Sequence, residues 1–361
     1  MQIIFHAPFP LVASSGRASQ IRPFEMKKAF EDLGCQVDAV TGYAAERKQG
    51  VAKIRKNIAR GTRYQLLYSE SSTMPTLLTE PHHFPISPSI DFGLWRTAHT
   101  AGIKIGVFYR DIYWRFPEYD QQLGRIKSSI TKFFYRYDLK QYQRYATKVY
   151  VPSQQMQSYI PIVDPQRFQP LPPAHNRVDT KLLQNLTKGR LNLFYVGGLG
   201  NHYRMHKLIE GIGKLPQVQL VICTREAEWQ SVANEFGTLT PNIRVVHKQG
   251  NELEELFLQT NINLLFFEPS EYRDFAMPLK LFDYIGSGRP IIATRGTLSA
   301  ELIEQQDIGW TIPYDTSQLI NLLQQLVAHP EQILQKTENV AAIAPQHHWR
   351  ARAKQVLADL Q

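Results

Sequence analysis

Residues 277–294, MPLKLFDYIGSGRPIIAT, read as a short helix, a glycine stop and a buried strand. Pro278 suits a first helical turn, where its missing N–H costs nothing, while Gly286, Gly288 and Pro290 end the helix. Pro290 to Thr294 is β-branched and apolar, as a strand covered on both faces must be. Upstream, Asn261 to Phe267 predicts another strand, so loop 268–276 leaves a strand's carboxyl end and feeds a helix N-terminus. Ligands bind at that place in open α/β sheets, and the unpaired N–H groups of a helix start suit a diphosphate. Lys280, Asp283 and Tyr284, three and four residues apart, share one helix face. A cation beside phosphates and a carboxylate that accepts two ribose hydroxyls would hold a nucleotide-linked ligand; a surface Lys–Asp pair has the same spacing.

The rest of the chain repeats this alternation. At 361 residues it is long for one core and natural for two domains. Gln2 to Phe9, Gln36 to Thr41, Tyr64 to Ser69, Lys104 to Tyr109 and Lys148 to Pro152 predict strands separated by helices. The pattern restarts with Leu191 to Val196, Gln217 to Cys223 and Ile243 to His247. The fold class expected is α/β, two doubly wound parallel sheets. No run reaches the roughly 18 apolar residues of a membrane span, and Met1 leads directly into a strand, so a cytoplasmic or membrane-peripheral protein is expected. Cys35 and Cys223 sit in or beside apolar strands and read as buried thiols rather than a disulfide or metal site.

Charge divides the chain. Residues 1–170 carry a net +10 and residues 171–361 a net −1. Lys53, Arg55, Lys56 and Arg60 lie in one basic run. In a second, within a long predicted helix 121–146, Lys132, Arg136, Lys140 and Arg144 alternate with Phe133, Phe134, Tyr135, Tyr137, Tyr142 and Tyr145. That mixture fits docking on an anionic membrane, nucleic-acid binding, or a solvated helix face with its aromatics packed inward.

Other strand ends carry chemistry. Ser14, Ser15 and Gly16, before Arg17, form a turn able to hold an anion through its amides. No G-x-G-x-x-G follows the first strand, which argues against a dinucleotide enzyme. Asp111 follows the strand 104–109 and precedes Tyr113 and Trp114. It is a candidate general base beside aromatic sugar platforms, or a turn cap, or a partner of Arg110. Gly197-Gly198-Leu199-Gly200 follows the strand 191–196, where glycines let backbone approach a phosphate.

Pro278, Lys280, Asp283, Tyr284, Gly288, Pro290, Ile292 and Ala293 resemble the donor-binding signature of GT-B glycosyltransferases, particularly glycosyltransferase family 4 and related bacterial polysaccharide enzymes. Asp283 stands where the family has its ribose-binding glutamate. The family's second glutamate, eight positions earlier, is Phe275 here, with Asp274 and Glu271 as substitutes. Ile162 to Pro170 is similar to the segment preceding the family's interdomain linker. Where the family has Gly-Arg and then Lys on the diphosphate, this chain has Gly198 and, near the lysine position, Arg204. Tyr109-Arg110-Asp111 resembles a run in inverting polysaccharide glucuronosyltransferases.

The resemblance implies an acceptor-binding domain at 1–170, a linker at 171–190, a donor-binding domain at 191–345, and a terminal helix, 348–361, returning to the first domain. It implies a metal-independent transfer of sugar from a nucleotide-sugar, UDP- or GDP-linked, to a glycan or lipid-linked glycan acceptor, without a cofactor. Gly198, Gly200, Arg204, Lys248, Met277, Pro278, Lys280 and Asp283 would bind the donor. Gly16, Arg17, Tyr113 and Trp114 would bind the acceptor, with Asp111 as base. An anionic membrane surface is the expected partner and nucleic acid is not. The rival readings are a nucleotide-sugar 2-epimerase of the same fold and a non-catalytic lipid- or nucleic-acid-binding protein.

Overall fold

Parallel strands buried on both faces build each half of the chain. The computed structural model describes residues 1–12, 18–85, 87–177, 186, 189–200, 203–269 and 277–361, with residues 18 and 19 as backbone only. The chain divides into two units: Met1–Pro173 with Trp349–Gln361, and Ala174–His348.

In the first unit the order is β1 (Gln2–His6), α1 (Ala18–Asp32), β2 (Gln36–Val40), α2 (Ala44–Ala59), β3 (Leu66–Glu70), α3 (Asp91–Thr100), β4 (Lys104–Phe108), α4 (Pro117–Leu123), α5 (Arg125–Tyr145), β5 (Lys148–Val151) and β6 (Phe168–Pro170). All pairs are parallel and the sheet runs β2-β1-β3-β4-β5-β6. The chain changes direction across the sheet between β1 and β3, so the crevice for a ligand opens at their carboxyl ends.

The second unit runs β7 (Leu191–Val196), α6 (His206–Gly213), β8 (Val218–Cys223), α7 (Glu226–Phe236), β9 (Ile243–Val246), α8 (Asn251–Gln259), β10 (Ile262–Leu265), α9 (Leu279–Gly286), β11 (Ile291–Thr294), α10 (Leu298–Gln305), β12 (Gly309–Ile312), α11 (Thr316–Ala328) and α12 (Glu331–Ile343). Its sheet order is β12-β11-β10-β7-β8-β9. This is the dinucleotide-fold order, with the switch between β7 and β10. Every residue of β10 and β11 is buried.

A last helix, α13 (Trp349–Asp359), belongs to the first unit. Arg352 Nε donates to the Pro172 carbonyl at 3.1 Å and Gln355 Nε2 to that of Pro170 at 2.9 Å. Trp349 is buried, and the ring lies 5.7 Å from the Arg22 guanidinium. Leu360 fills the space over Gly106 in β4, where a Cβ would stand 2.8 Å from its methyl.

Three local expectations need correction. The helix expected over 121–146 is two helices, because Gly124 adopts a positive φ of 76° between α4 and α5. Phe168–Pro170, read only as a motif, is an edge strand, a place that tolerates proline. Pro278 is the cap residue in extended backbone rather than the first helical residue. Cys35 and Cys223 are buried free thiols, and no described helix is long and apolar enough to cross a membrane.

One carboxyl lies deep in the first unit. Asp138 of α5 is buried and accepts the Thr76 N–H at 2.7 Å. Burial pushes its carboxyl up to about 7, against the pull of that hydrogen bond. The folded state therefore keeps a proton that the unfolded chain releases near its ordinary value of 3.8, so stability falls as pH rises between these values and levels off above them. Asp138→Asn keeps an acceptor for Thr76 and should flatten that slope, raising Tm by several degrees at about pH 8 while leaving it unchanged at about pH 4. A pH series of melting curves checks this.

Candidate functional site

The switch point of the second unit gathers a lysine of α9, Tyr195 of β7, the rings of Tyr203 and Phe267 from two loops, and a glycine turn. Lys280, in the first turn of α9, lays its ammonium 3.8 Å from the Tyr203 ring centroid, 4.5 Å from Tyr195 and 5.4 Å from Phe267. Ring faces attract a cation, so these side chains hold the amine at the carboxyl end of β7. Lys280 Nζ also donates to the Tyr195 hydroxyl at 2.9 Å, and that hydroxyl donates to the Gly198 carbonyl at 2.5 Å. The lysine is thus tied to the glycine turn through one phenol.

Gly197 makes this approach feasible. Its φ is 140°, and a Cβ there would lie 2.6 Å from Lys280 Nζ. On the far side of the turn the Leu199 N–H donates to Glu228 Oε2 at 3.3 Å, and Glu228 also pairs with Arg225 at 3.0 Å. A carboxylate therefore already occupies one amide of a turn suited to anions.

The adjacent strand end completes the crevice. Glu268 N–H donates to the Arg204 carbonyl at 2.9 Å, which joins the segments following β7 and β10. The Arg204 side chain is exposed, 3.9 Å from Glu268. Gly200, with φ 114°, closes its turn by accepting the Tyr203 N–H at 2.8 Å. Asp283 is half-buried on α9, while Met277 and Pro278 precede the helix at its mouth. Tyr284 turns away from any ligand. It is buried, and its hydroxyl accepts the Val196 N–H at 3.0 Å, anchoring α9 to the end of β7. Gly286, the last residue of α9, admits the His175 ring, whose Cγ would lie 2.6 Å from an added Cβ, and Gly288 with φ 71° turns the chain out of the helix.

Lys248 stands apart from this group. It follows β9, two strands and about 10 Å from β7, and pairs with Glu252 at 3.3 Å. Asn201, Glu271, Asp274 and Phe275 lie outside the described residues. Sequence reasoning read Gly197 as part of the glycine turn and missed Tyr195, Tyr203, Phe267 and Glu228. The tyrosines and Phe267 carry the available signal: aromatics at the polar ends of apolar strands.

At the switch point of the first unit, charged side chains are engaged with one another. His6 Nδ1 is 2.8 Å from Ser69 Oγ and His6 Nε2 is 3.0 Å from Asp91, while Arg47 joins Asp91 at 2.9 Å and Glu80 at 3.0 Å. Glu70, fully buried, accepts from Arg22 at 3.0 Å, Tyr68 at 2.6 Å and Arg110 at 3.2 Å. Arg110 is therefore paired with Glu70. Asp111 Oδ1 accepts the Tyr113 N–H at 2.9 Å, which makes it the cap of the turn after β4. Tyr113 is half-buried, edge-on to Tyr119. Trp114 does not offer a ring to a ligand: it is 2% exposed, stacks on Tyr135 at 5.2 Å and donates to the Tyr109 hydroxyl at 2.7 Å. Gly16 and Arg17 lie outside the described residues.

Residues 190–329 match the family described as Glycosyl transferases group 1. They form a group 1 glycosyl transferase domain. With that domain on the GT-B fold, the chain is a glycosyltransferase. Solved structures with the same architecture include HepE from Anabaena in complex with UDP and glucose, 15% identical over 100% of this chain and 99% of that one with a TM-score of 0.64. Sucrose-phosphate synthase from Thermosynechococcus elongatus is 15% identical over 99% and 97%, with a TM-score of 0.62. WaaG, a glycosyltransferase involved in lipopolysaccharide biosynthesis, is 15% identical over 99% of each chain, with a TM-score of 0.58. No curated protein matches the sequence.

The glycosyltransferase's crevice makes opposite predictions for two charges. Lys280→Met should weaken binding of nucleoside diphosphates at least tenfold. Glu228→Gln, which removes a negative charge from the glycine turn, should tighten it severalfold. Calorimetric titration of both variants checks the signs.

Proposed function

We propose that this glycosyltransferase moves a sugar from a UDP-linked donor to a hydroxyl of a glycan or lipid-linked glycan acceptor, in bacterial surface polysaccharide synthesis at the cytoplasmic face of the membrane. The observation that carries the donor assignment is the Lys280 ammonium, held by three rings beside the Gly197–Gly200 turn at the switch between β7 and β10. HepE, whose structures contain UDP and UDP-glucose, supports a uridine donor. WaaG supports a surface-polysaccharide role.

In this reading the diphosphate lies against the glycine turn, with Lys280 neutralising the charge that grows on it as the glycosidic C–O bond breaks. Asp283 accepts the ribose hydroxyls, and Arg204 borders the phosphates. Lysine and backbone amides supply what a metal ion would otherwise contribute, so the reaction proceeds in chelator. The acceptor hydroxyl attacks the anomeric carbon, and its proton passes to Asp111, whose other role is to cap the turn at Tyr113. The Glu70–Arg110 pair fixes the strand end that presents Asp111.

Thermal-shift measurements against UDP, GDP, TDP, CMP and ADP with their sugars test the donor. UDP should raise Tm, since a ligand that binds only the native state stabilises it. Asp283→Ala should abolish most of that shift. A shift with GDP alone would reassign the donor, and no shift with any nucleotide would overturn the site. Asp111→Asn should cut turnover at least a hundredfold with donor binding intact. UDP release in the absence of any acceptor would favour epimerisation over transfer.

A further inference from the structure

The first half of α5 shows solvent an apolar row that the fold does not use. Ile126, Ile130 and Phe133 are 79%, 53% and 64% exposed. Spaced four and three residues apart, they form one line about 10 Å long on the helix. The buried residues of α5, Ser128, Tyr135, Asp138, Leu139 and Tyr142, occupy its opposite side. Leu123, just before Gly124, is also exposed. Single exposed aliphatic residues are ordinary, but a contiguous row on the outermost line of a helix marks an interaction surface.

The charges beside the row have one sign. Arg125, Lys127, Arg136, Lys140 and Arg144 are exposed on the same helix, and its only acid, Asp138, points into the core. Lys132 turns down to pair with Asp120 of α4. Tyr135 and Tyr142 pack inward, as the reading of a solvated helix face expects of the aromatics, but Phe133 does not, and neither do Ile126 and Ile130. Between the two anionic partners, the two isoleucines of the row give phosphates and bases nothing to bind, whereas a bilayer offers acyl chains directly beneath its phosphates to both isoleucines and to Phe133.

We propose that α5 docks the protein on an anionic lipid surface. Ile126, Ile130 and Phe133 enter the boundary between headgroups and acyl chains, and Arg125, Lys127, Arg136 and Lys140 meet lipid phosphates on either side. The proposal deepens the lipid-linked acceptor reading, because the helix belongs to the unit assigned to the acceptor. It is tested without donor or acceptor, so its failure leaves the transferase assignment standing.

The test is flotation with vesicles of equal parts phosphatidylglycerol and phosphatidylcholine, against vesicles of phosphatidylcholine alone. The wild-type chain should bind the first and not the second. The combined variant Ile126→Ser, Ile130→Ser, Phe133→Ser should bind at least tenfold more weakly, with an unchanged Tm and an unchanged response to UDP. Lys127→Gln should cost about fivefold. Because Cys35 and Cys223 are buried, an environment-sensitive dye on Ile130→Cys reports that position, and its emission should shift to the blue only with the anionic vesicles. Equal binding by the triple variant, no vesicle binding by the wild type, or an unshifted dye would overturn the proposal. So would a wild-type dimer in light scattering that the triple variant dissolves, since the row would then be a contact between copies.

Discussion

A parallel sheet covered on both faces leaves polar side chains little room except at the ends of its strands. That constraint shapes both halves of this chain. β3, β10 and β11 are buried along their whole lengths, and their one charged residue, Glu70, stands at a carboxyl end, next to a loop. The places where those groups matter are therefore set by strand order, which separates neighbouring loops at one point in each sheet.

The two units use that edge differently. In the first, His6, Arg47, Asp91 and Glu80 satisfy one another, as do Arg22, Glu70 and Arg110. Buried ion pairs of this kind add little net stability, because desolvation offsets attraction, but breaking one strands a charge. Their effect is to hold segments remote in sequence in one arrangement. In the second, Lys280 rests on three ring faces and a phenol, contacts that orient the amine toward the glycine turn. The first set of strand ends is tied by ion pairs; the second is tied by ring contacts around one amine.

The alternation of strands and helices was legible because runs such as Leu191–Val196 and Pro290–Thr294 are too apolar and too short for anything but buried strands. The glycine turn and the Lys280 helix were legible as neighbours because both follow strand ends. Their partners were not. Tyr203 and Phe267 reach Lys280 from two loops, and the close approach of lysine to Gly197 depends on a backbone angle that glycine permits but does not announce. Trp114 misled for a similar reason. An aromatic after a strand end can face outward or inward, and the partner that draws it inward, Tyr135, lies on a helix beyond an intervening glycine break. Of the roles the sequence offered Asp111, the structure shows the turn cap, through the Tyr113 N–H.

The membership of α13 in the first unit has a consequence for biogenesis. All residues of the second unit are consecutive, whereas the first is completed by a segment synthesised after them. During translation the second unit can therefore reach its native contacts while the first still lacks Trp349, Arg352 and Leu360, leaving the Arg22 face and the space over Gly106 uncovered. The first unit is thus the last to be finished, and until its final helix arrives part of its core face stays open to solvent.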